Sequence, residues 1–230
     1  MGTLTDEIER VTKQEPVFLL AEIKVRSPRD GDLLRGRDPA RLAQDLCRWG
    51  ADGISVVTEP EHFGGSLDLL AAVREAVECP ILAKDFFRTQ EAIDAAVARG
   101  ADAVLLISSR LDDDRLTDLV EYCRSIGVDP LVETHTREEL ETATALDAAL
   151  VGINNRDIRQ LELDEGGVER TERLAPYVPS NARLVSESSL SSPQEVRRAV
   201  DAGADAVLVG TGVLRAEDTA AVVRKLSLQP

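Results

Sequence analysis

The chain has 230 residues, of which 43% are hydrophobic, so it can bury one sizeable core and is too apolar to be disordered. No apolar run approaches the roughly 20 residues that a membrane-spanning helix needs. With a formal charge of −15, the chain is expected to repel nucleic acid and anionic membranes, and we expect neither as a partner.

A short phrase recurs three times along the chain. It reads GADGISVV from Gly50, GADAVLLI from Gly100 and GADAVLVG from Gly203. Each copy follows a segment of helical periodicity and precedes a β-branched run. This is typical of a helix that ends at a glycine, then a tight turn and a buried strand. The copies are 50 and 103 residues apart, near two and four times a βα unit of about 25 residues.

Eight apolar runs bounded by turn signals are predicted as strands, in chain order at 17–24, 53–58, 80–85, 103–108, 128–135, 149–154, 182–187 and 206–210. Helices are predicted at 39–49, 66–78, 89–99, 115–126, 137–146, 166–175, 192–202 and 219–226. This alternation favours an α/β fold: one (β/α)8 TIM barrel over residues 1–230, with a short N-terminal helical extension at 1–16. A doubly wound open sheet is the alternative, because a count of elements does not prove closure.

Polar side chains gather where the predicted strands end, which is where such a barrel places its active site. Six of the eight strands share this feature. Their end residues are Glu22 and Lys24, Lys84 and Asp85, Glu133 and His135, Asn154 and Arg156, Glu187 and Ser188, and finally Gly210, Thr211 and Gly212. The pattern predicts one charged mouth assembled from distant segments.

Lys84 follows Pro-Ile-Leu-Ala and precedes Asp-Phe-Phe, so its amine is expected beside apolar surface. Desolvation there would lower its pKa and suit it to proton transfer or imine formation. Glu22 and Lys24 point to the same face of one strand, either as catalytic groups or as a structural ion pair. Glu133 could equally orient a neighbouring loop, and residues 154–157 could be an ordinary turn.

The glycines of Val-Gly-Thr-Gly at 209–212 follow the last strand, where backbone N–H groups can approach a phosphate. The loops at 27–31 and 64–66 are further phosphate-binding candidates or plain turns.

Three cysteines and two histidines show no metal-ligand spacing, so no Cys- or His-based metal site is predicted. A carboxylate-only Mg²⁺ site stays open, although no motif indicates one. The odd cysteine count argues against a disulfide framework. Residues 1–15 lack the basic and apolar regions of a secretory signal, so the cytoplasm is the expected location.

Only four of the 27 basic residues are lysines: Lys13, Lys24, Lys84 and Lys225. An acidic, lysine-poor composition fits a salt-rich cytoplasm, where salt screens self-repulsion. We therefore hypothesise adaptation to salt. A melting series in KCl tests this hypothesis, and maximal stability in dilute buffer would contradict it.

The chain resembles the indole-3-glycerol phosphate synthase family from about Leu19 to Leu214. The resemblance rests on segments in a specific order: AEIKVRSP (21–28), HFGGS (62–66), PILAKDFF (80–87), GADAVLLI (100–107), LVETH (131–135), GINNRD (152–157), VSES (185–188) and LVGTGVL (208–214). It implies ring closure, decarboxylation and dehydration of 1-(2-carboxyphenylamino)-1-deoxyribulose 5-phosphate, without a metal or organic cofactor. A small phosphorylated molecule is then the only expected partner, and a monomer is expected.

The resemblance also implies roles for individual residues. Lys84 matches the general acid that protonates the substrate carbonyl, and Lys24 matches a lysine that binds the acidic groups and takes part in dehydration. Glu22 and Glu133 match an acidic pair, with the base unassigned, and Asn154 and Arg156 match residues that orient substrate and intermediate. The remaining implied contacts are Glu187 and Ser188 on the seventh strand, an aromatic-ring wall of Phe63, Phe86, Leu105 and Ile158, and a phosphate site of Ser27, Ser189, Gly210, Thr211 and Gly212.

The chain departs from the family pattern at three places. Ser189 stands where the family usually has glycine, Arg29 stands where it commonly has serine, and the N-terminal extension is short enough to put a lid in doubt. None of these removes a proposed catalytic residue. Two alternatives remain at this level: another phosphate-binding barrel enzyme, such as a lysine-imine aldolase or a pathway isomerase, and a catalytically silent barrel that serves as a scaffold.

Overall fold

The computed structural model describes residues 3–156 and 167–229. Eight parallel strands form a closed barrel. They are β1 (Phe18–Ile23), β2 (Gly53–Val57), β3 (Ile81–Lys84), β4 (Ala103–Ile107), β5 (Asp129–Thr134), β6 (Leu150–Asn154), β7 (Arg183–Glu187) and β8 (Ala206–Val209). Because β1 pairs with both β2 and β8, the sheet has no edge, and the open-sheet alternative is wrong.

Helices precede, separate and follow these strands. They are α1 (Leu4–Thr12), α2 (Pro39–Arg48), α3 (Leu67–Ala76), α4 (Gln90–Val97), α5 (Asp113–Ser125), α6 (Arg137–Ala145), α7 (Glu169–Leu174), α8 (Pro193–Asp201), α9 (Thr211–Arg215) and α10 (Thr219–Leu226). The predicted helices are confirmed within the described residues. Helix α5 starts two residues before the predicted position, because the Asp112 side chain accepts the Arg115 N–H and caps an earlier turn.

The recurring Gly-Ala-Asp phrase has a physical explanation. Each glycine follows a helix in the positive-φ region, at +116°, +95° and +114° for Gly50, Gly100 and Gly203. The glycine N–H and the next alanine N–H donate to the last-turn carbonyls, which is the Schellman arrangement. The aspartate then accepts a backbone N–H from a neighbouring strand, joining Asp52 to Leu19, Asp102 to Ile81 and Asp205 to Leu184. One phrase thus ends a helix and anchors it to the barrel.

We expect Gly203→Ala to lower the free energy of unfolding by about 1–2 kcal/mol, because a side chain at positive φ is strained. A Cβ at Gly203 would meet no atom within 4 Å, so the cost is conformational and not steric. Thermal melting should show a loss of roughly 2–8 °C. An unchanged melting temperature would contradict this account of the phrase.

Helix α1 closes the amino end of the barrel. Leu4, Ile8 and Val11 are buried in the same apolar cluster as the inward side chains of the strands. The Thr5 N–H donates to the Asp129 carboxylate, 2.7 Å away at the first residue of β5. The extension therefore covers the end opposite the strand termini that carry the predicted site. Over the described residues, no helix is both long and apolar enough to cross a bilayer.

Candidate active site

The carboxyl ends of the strands surround a cavity of about 400 Å³, a volume suited to a small-molecule ligand. Most of the residues predicted from the sequence line it: Glu22, Lys24, Phe63, Lys84, Phe86, Leu105, Glu133, Asn154, Arg156, Ser188, Ser189, Gly210, Thr211 and Gly212. Glu187 and Ser27 lie behind this lining, and Ile158 lies outside the described residues. The segments quoted in the sequence therefore meet at one mouth.

A network of charged groups occupies the floor of the cavity. The Lys84 ammonium lies 3.1 Å from Glu187 Oε2 and 3.5 Å from Glu22 Oε2. The Lys24 ammonium lies 3.0 Å from the other Glu22 oxygen, Oε1. Strands β1, β3 and β7 thus place two cations and two carboxylates in direct contact, in surroundings from which water is largely excluded.

The pKa of Lys84 is raised, so the expectation of a lowered value is wrong. Burial by itself opposes the charged form, as expected, but the negative charges of Glu187, Glu22 and Glu133 outweigh that effect. Lys84 is therefore a protonated ammonium that can donate a proton. It is not a neutral amine ready to attack a carbonyl carbon.

The pKa values of the two carboxylates that contact Lys84 are shifted in opposite directions. Burial acts against the charge of Glu22, yet Lys24 and Lys84 on either side lower its pKa to about 2. Burial, together with the charges of Glu133 and Glu22, raises the pKa of Glu187 to about 7 despite the attraction of Lys84. Glu22 is thus a weak proton acceptor, held by its oxygens between two lysines. Glu187 lies behind Lys84 and positions it.

Glu133 is a further buried carboxylate of the site, and unlike Glu187 it lines the cavity. It is 1% exposed and lines the cavity, and its Oε2 accepts a hydrogen bond of 3.0 Å from Asn154 Nδ2. His135 Nε2 lies 3.5 Å from the other oxygen, Oε1. Within the described part of the chain, Oε1 has no hydrogen-bond partner. A buried acceptor without a partner is costly, which is typical of a group that meets a ligand.

His135 was noted at a strand end but given no role. Its ring Nδ1 lies 3.3 Å from Glu139 Oε2, and its backbone N–H donates to the same oxygen. Burial opposes protonation of the ring, but Glu139 and Glu133 outweigh it and raise the pKa of His135. His135 therefore packs behind Glu133, with its Nε2 beside Glu133 Oε1. Its spacing from Glu139, one helical turn into α6, is the signal that could have found it.

One wall of the cavity is apolar. Phe63, Phe86 and Leu105 contribute it, as predicted. The Lys24 ammonium lies 5.5 Å from the Phe63 ring centroid, and the Arg110 guanidinium lies 4.1 Å from that of Phe86. The wall can hold a flat ring while the cations keep both phenylalanine side chains in place.

Glu59 shapes the turn that carries Phe63. Its carboxylate accepts the backbone N–H groups of Glu61, His62 and Phe63. The ligand atoms of Glu59, Glu61 and His62 lie within 4.8 Å of one another, the one such group found in the described ranges. Since three N–H groups already occupy the Glu59 oxygens, the arrangement orders a loop rather than presenting a metal site.

The opposite side of the mouth carries the predicted phosphate-binding residues. Gly210 precedes the short helix α9, and a Cβ there would lie 2.6 Å from Glu22 Oε1. Only glycine therefore fits between the charged network and this turn. The Arg156 side chain reaches the same side, where its Nε donates to Ser189 Oγ at 3.2 Å.

The loop after β1 and helix α9, which follow neighbouring strands, are joined by an ion pair between Arg215 and Asp30. Ser27 sits beneath this loop, and its Oγ accepts the Asp30 N–H at 2.9 Å, so the hydroxyl orders the loop and does not reach the cavity. Arg29 and Asp30 line the cavity and belong to the 27–31 loop, which the sequence offered as a phosphate-binding candidate or a plain turn. Arg215 also lines the cavity and was not predicted as a site residue.

Asn155 supports the end of β7 from the neighbouring strand. Its side chain donates to Ser186 Oγ and to the carbonyls of Glu187 and Ser188, and accepts from the Thr171 N–H and hydroxyl. The adjacent Ser188 and Ser189 have φ values of +66° and +58°. This buried hydrogen-bond network holds two serines in a conformation that ordinarily favours glycine.

We expect Ser189→Gly to be more stable than Ser189→Ala by about 1–2 kcal/mol, because only glycine adopts positive φ without strain. Both variants lose the Arg156 hydrogen bond, so their comparison isolates the backbone term. Denaturant unfolding of the two proteins measures the difference. Equal stabilities would show that position 189 carries no strain.

Comparison with known proteins identifies similar chains. The family model for indole-3-glycerol phosphate synthase matches residues 3–226. The indole-3-glycerol phosphate synthase of Pyrococcus furiosus is 44% identical over 216 residues, covering 94% of this chain and 93% of the relative. That of Kineococcus radiotolerans is 44% identical, covering 94% and 78%. The solved structure of 3-hexulose-6-phosphate synthase from Salmonella typhimurium is similar with a TM-score of 0.73, covering 92% and 97%; at 18% identity it supports the fold alone.

Proposed function

The chain belongs to the indole-3-glycerol phosphate synthase family, and from this premise we propose how its residues divide the chemistry. The family reaction is that of a carboxy-lyase in tryptophan biosynthesis. It converts 1-(2-carboxyphenylamino)-1-deoxyribulose 5-phosphate to indole-3-glycerol phosphate, with loss of carbon dioxide and water.

The observation that carries the proposal is the charged Lys84 ammonium at the cavity floor, held by Glu187 and Glu22. During ring closure, the aromatic carbon that bears the carboxyl group attacks the ketone carbon, and negative charge develops on the carbonyl oxygen. Lys84 donates its proton to that oxygen. A fixed ammonium in a dry site stabilises such charge far better than water does.

Decarboxylation and dehydration follow. The bond to the carboxyl carbon breaks, and its electron pair restores the aromatic ring as carbon dioxide leaves. The new hydroxyl then departs as water, which requires a proton donor and a base. We assign the donor to Lys24 and the base to Glu133, because both residues line the cavity and Glu133 is not in the ion pairs that hold Glu22 and Glu187 against Lys84. Glu22 orients the two lysines.

Binding is assigned to the two sides of the mouth. Phe63, Phe86 and Leu105 hold the aromatic ring, with Ile158 kept as a predicted contact. The phosphate meets backbone N–H groups of Gly210, Thr211 and Gly212, with Arg156, Ser188 and Ser189 nearby, and Asn154 orients both substrate and Glu133. Ser27 serves this side indirectly, by ordering the 27–30 loop.

The imine alternative requires a neutral lysine, and the carboxylates around Lys84 favour the charged form. Borohydride reduction in the presence of substrate distinguishes the two mechanisms. We expect no covalent adduct on Lys84, whereas a trapped adduct would favour the imine mechanism.

Turnover itself is tested by adding the substrate to the purified protein. We expect indole fluorescence to rise with the release of carbon dioxide, in at least part of a KCl series. No rise at any salt concentration would contradict the proposal. The proposal treats the chain as a cytoplasmic monomer that needs no cofactor, nucleic acid or membrane, and light scattering measures its oligomeric state.

A further inference from the structure

Two cysteines lie side by side at the amino end of the barrel, away from the active site. Cys47 is in the last turn of α2 and Cys79 precedes β3, and their Sγ atoms are 3.2 Å apart. Both are free thiols and both are partly exposed. Lys84 ends the strand that Cys79 leads into, roughly 15 Å along the chain at about 3.3 Å per residue.

We propose that Cys47 and Cys79 are a redox modification site that closes a reversible intramolecular disulfide on exposure to a small peroxide. The thiols are 32 residues apart in sequence, and the packing of α2 against α3 brings them into contact. A small oxidant can reach them because neither is fully buried. Cys123 is completely buried in α5 and is excluded from the pair.

The surroundings favour the chemistry. The Arg74 guanidinium is anchored by Asp102 at 2.9 Å and by the Cys79 carbonyl at 3.0 Å. The hydrogen bond with the Cys79 thiol and the positive charge of Arg74 lower the pKa of Cys47. Burial and the charge of Asp52 raise it, but by less. The same hydrogen bond raises the pKa of Cys79. Within this proposal Cys47 serves as the attacking thiolate and Cys79 as the resolving thiol, an order that labelling of the Cys79→Ser variant tests.

The reaction balances with hydrogen peroxide as oxidant. The Cys47 thiolate attacks one peroxide oxygen, the O–O bond breaks, and hydroxide leaves, which makes a sulfenic acid on Cys47. Cys79 then loses its proton, and its sulfur attacks the Cys47 sulfur and displaces hydroxide. In total, two thiols and one peroxide give one disulfide and two waters, and two electrons pass from sulfur to oxygen.

The disulfide would link α2 to the segment before β3. Both lie at the amino end of the barrel, which in this fold contributes to stability and not to catalysis. Closing a loop of this length should raise the apparent melting temperature by about 5–10 °C. Because the site lies far from Lys84, we expect kcat to change less than about twofold.

The test exposes the full chain to hydrogen peroxide, quenches it, and alkylates it with N-ethylmaleimide in denaturant before peptide mass spectrometry. We expect Cys123 alone to be alkylated, with a peptide linking Cys47 to Cys79 that dithiothreitol releases. The Cys79→Ser variant should form no disulfide, and dimedone should label its Cys47 as a sulfenic acid. Cys123→Ser should behave as the unmodified chain does.

The proposal is overturned if both cysteines stay alkylatable after oxidation, or if the cross-link joins separate molecules. Melting of the oxidised chain beside the oxidised Cys79→Ser variant is the second readout, and equal melting temperatures would contradict a stabilising disulfide. Neither readout depends on turnover, so the outcome is independent of the proposed function.

Discussion

Replacement of Lys84 by alanine is expected to lower kcat by about 10²–10⁴, the usual contribution of a positioned general acid. The variant loses the ammonium that bridges Glu187 and Glu22 at the cavity floor. Without it, the substrate carbonyl oxygen has no proton donor from β3. The buried carboxylates of Glu187 and Glu22 also lose an ion-pair partner. Steady-state fluorescence of the product measures the loss.

The matched control is Lys225→Ala, which removes an exposed lysine from α10 and should leave kcat unchanged. Melting both variants separates lost catalysis from lost folding, because unpaired buried carboxylates also destabilise the barrel. A folded Lys84→Ala protein with undiminished turnover would remove Lys84 from the mechanism while leaving the family assignment intact.

Glu133→Gln is expected to reduce kcat by a similar factor, about 10²–10⁴, because the amide cannot accept the proton released in dehydration. The substitution preserves shape and can still accept the Asn154 hydrogen bond, so folding should change little. The measurement is steady-state kcat of the variant beside that of the unmodified chain.

Glu187→Gln is the comparison for that experiment. Glu187 lies behind Lys84, is fully buried and does not line the cavity. Its loss should reduce kcat far less than Glu133→Gln does and should move the alkaline limb of the kcat profile to lower pH, because Lys84 loses an ion-pair partner that raises its pKa. If Glu187→Gln lowered kcat by about 10²–10⁴ while Glu133→Gln kept it, the assignment of the base would be reversed.

The barrel and its mouth could be predicted because the relevant signals are local. Glycine ends helices at Gly50, Gly100 and Gly203, and apolar runs end in polar residues at the same edge. Parallel strands then bring their carboxyl ends together. Glu22, Lys84 and Glu133 could therefore be placed at one mouth without knowledge of their contacts.

The pKa of Lys84 could not be predicted from the sequence in the same way. Neighbouring residues indicated burial, which lowers the pKa of a lysine. The partner that counters burial, Glu187, lies 103 residues away, and no local pattern links the two. The Arg215–Asp30 pair, separated by 185 residues, escaped notice for the same reason.

The serine at position 189, where the family usually has glycine, could be interpreted only in part from the sequence. The sequence indicated reduced backbone freedom, and the structure gives the conformation, with φ at +58°. What the sequence did not reveal is the compensation: Asn155 holds the Ser188 carbonyl, and Arg156 donates to the Ser189 hydroxyl. Both residues had been interpreted without this supporting role.

The central claim is that Lys84 is charged when substrate arrives. Nitrogen-15 NMR of lysine Nζ tests it directly, because the chain has only four lysines and Lys84→Arg identifies the signal. We predict that Lys84 keeps its ammonium signal to a higher pH than the exposed Lys13 and Lys225. A Lys84 that loses its proton at a lower pH than those two would contradict the claim.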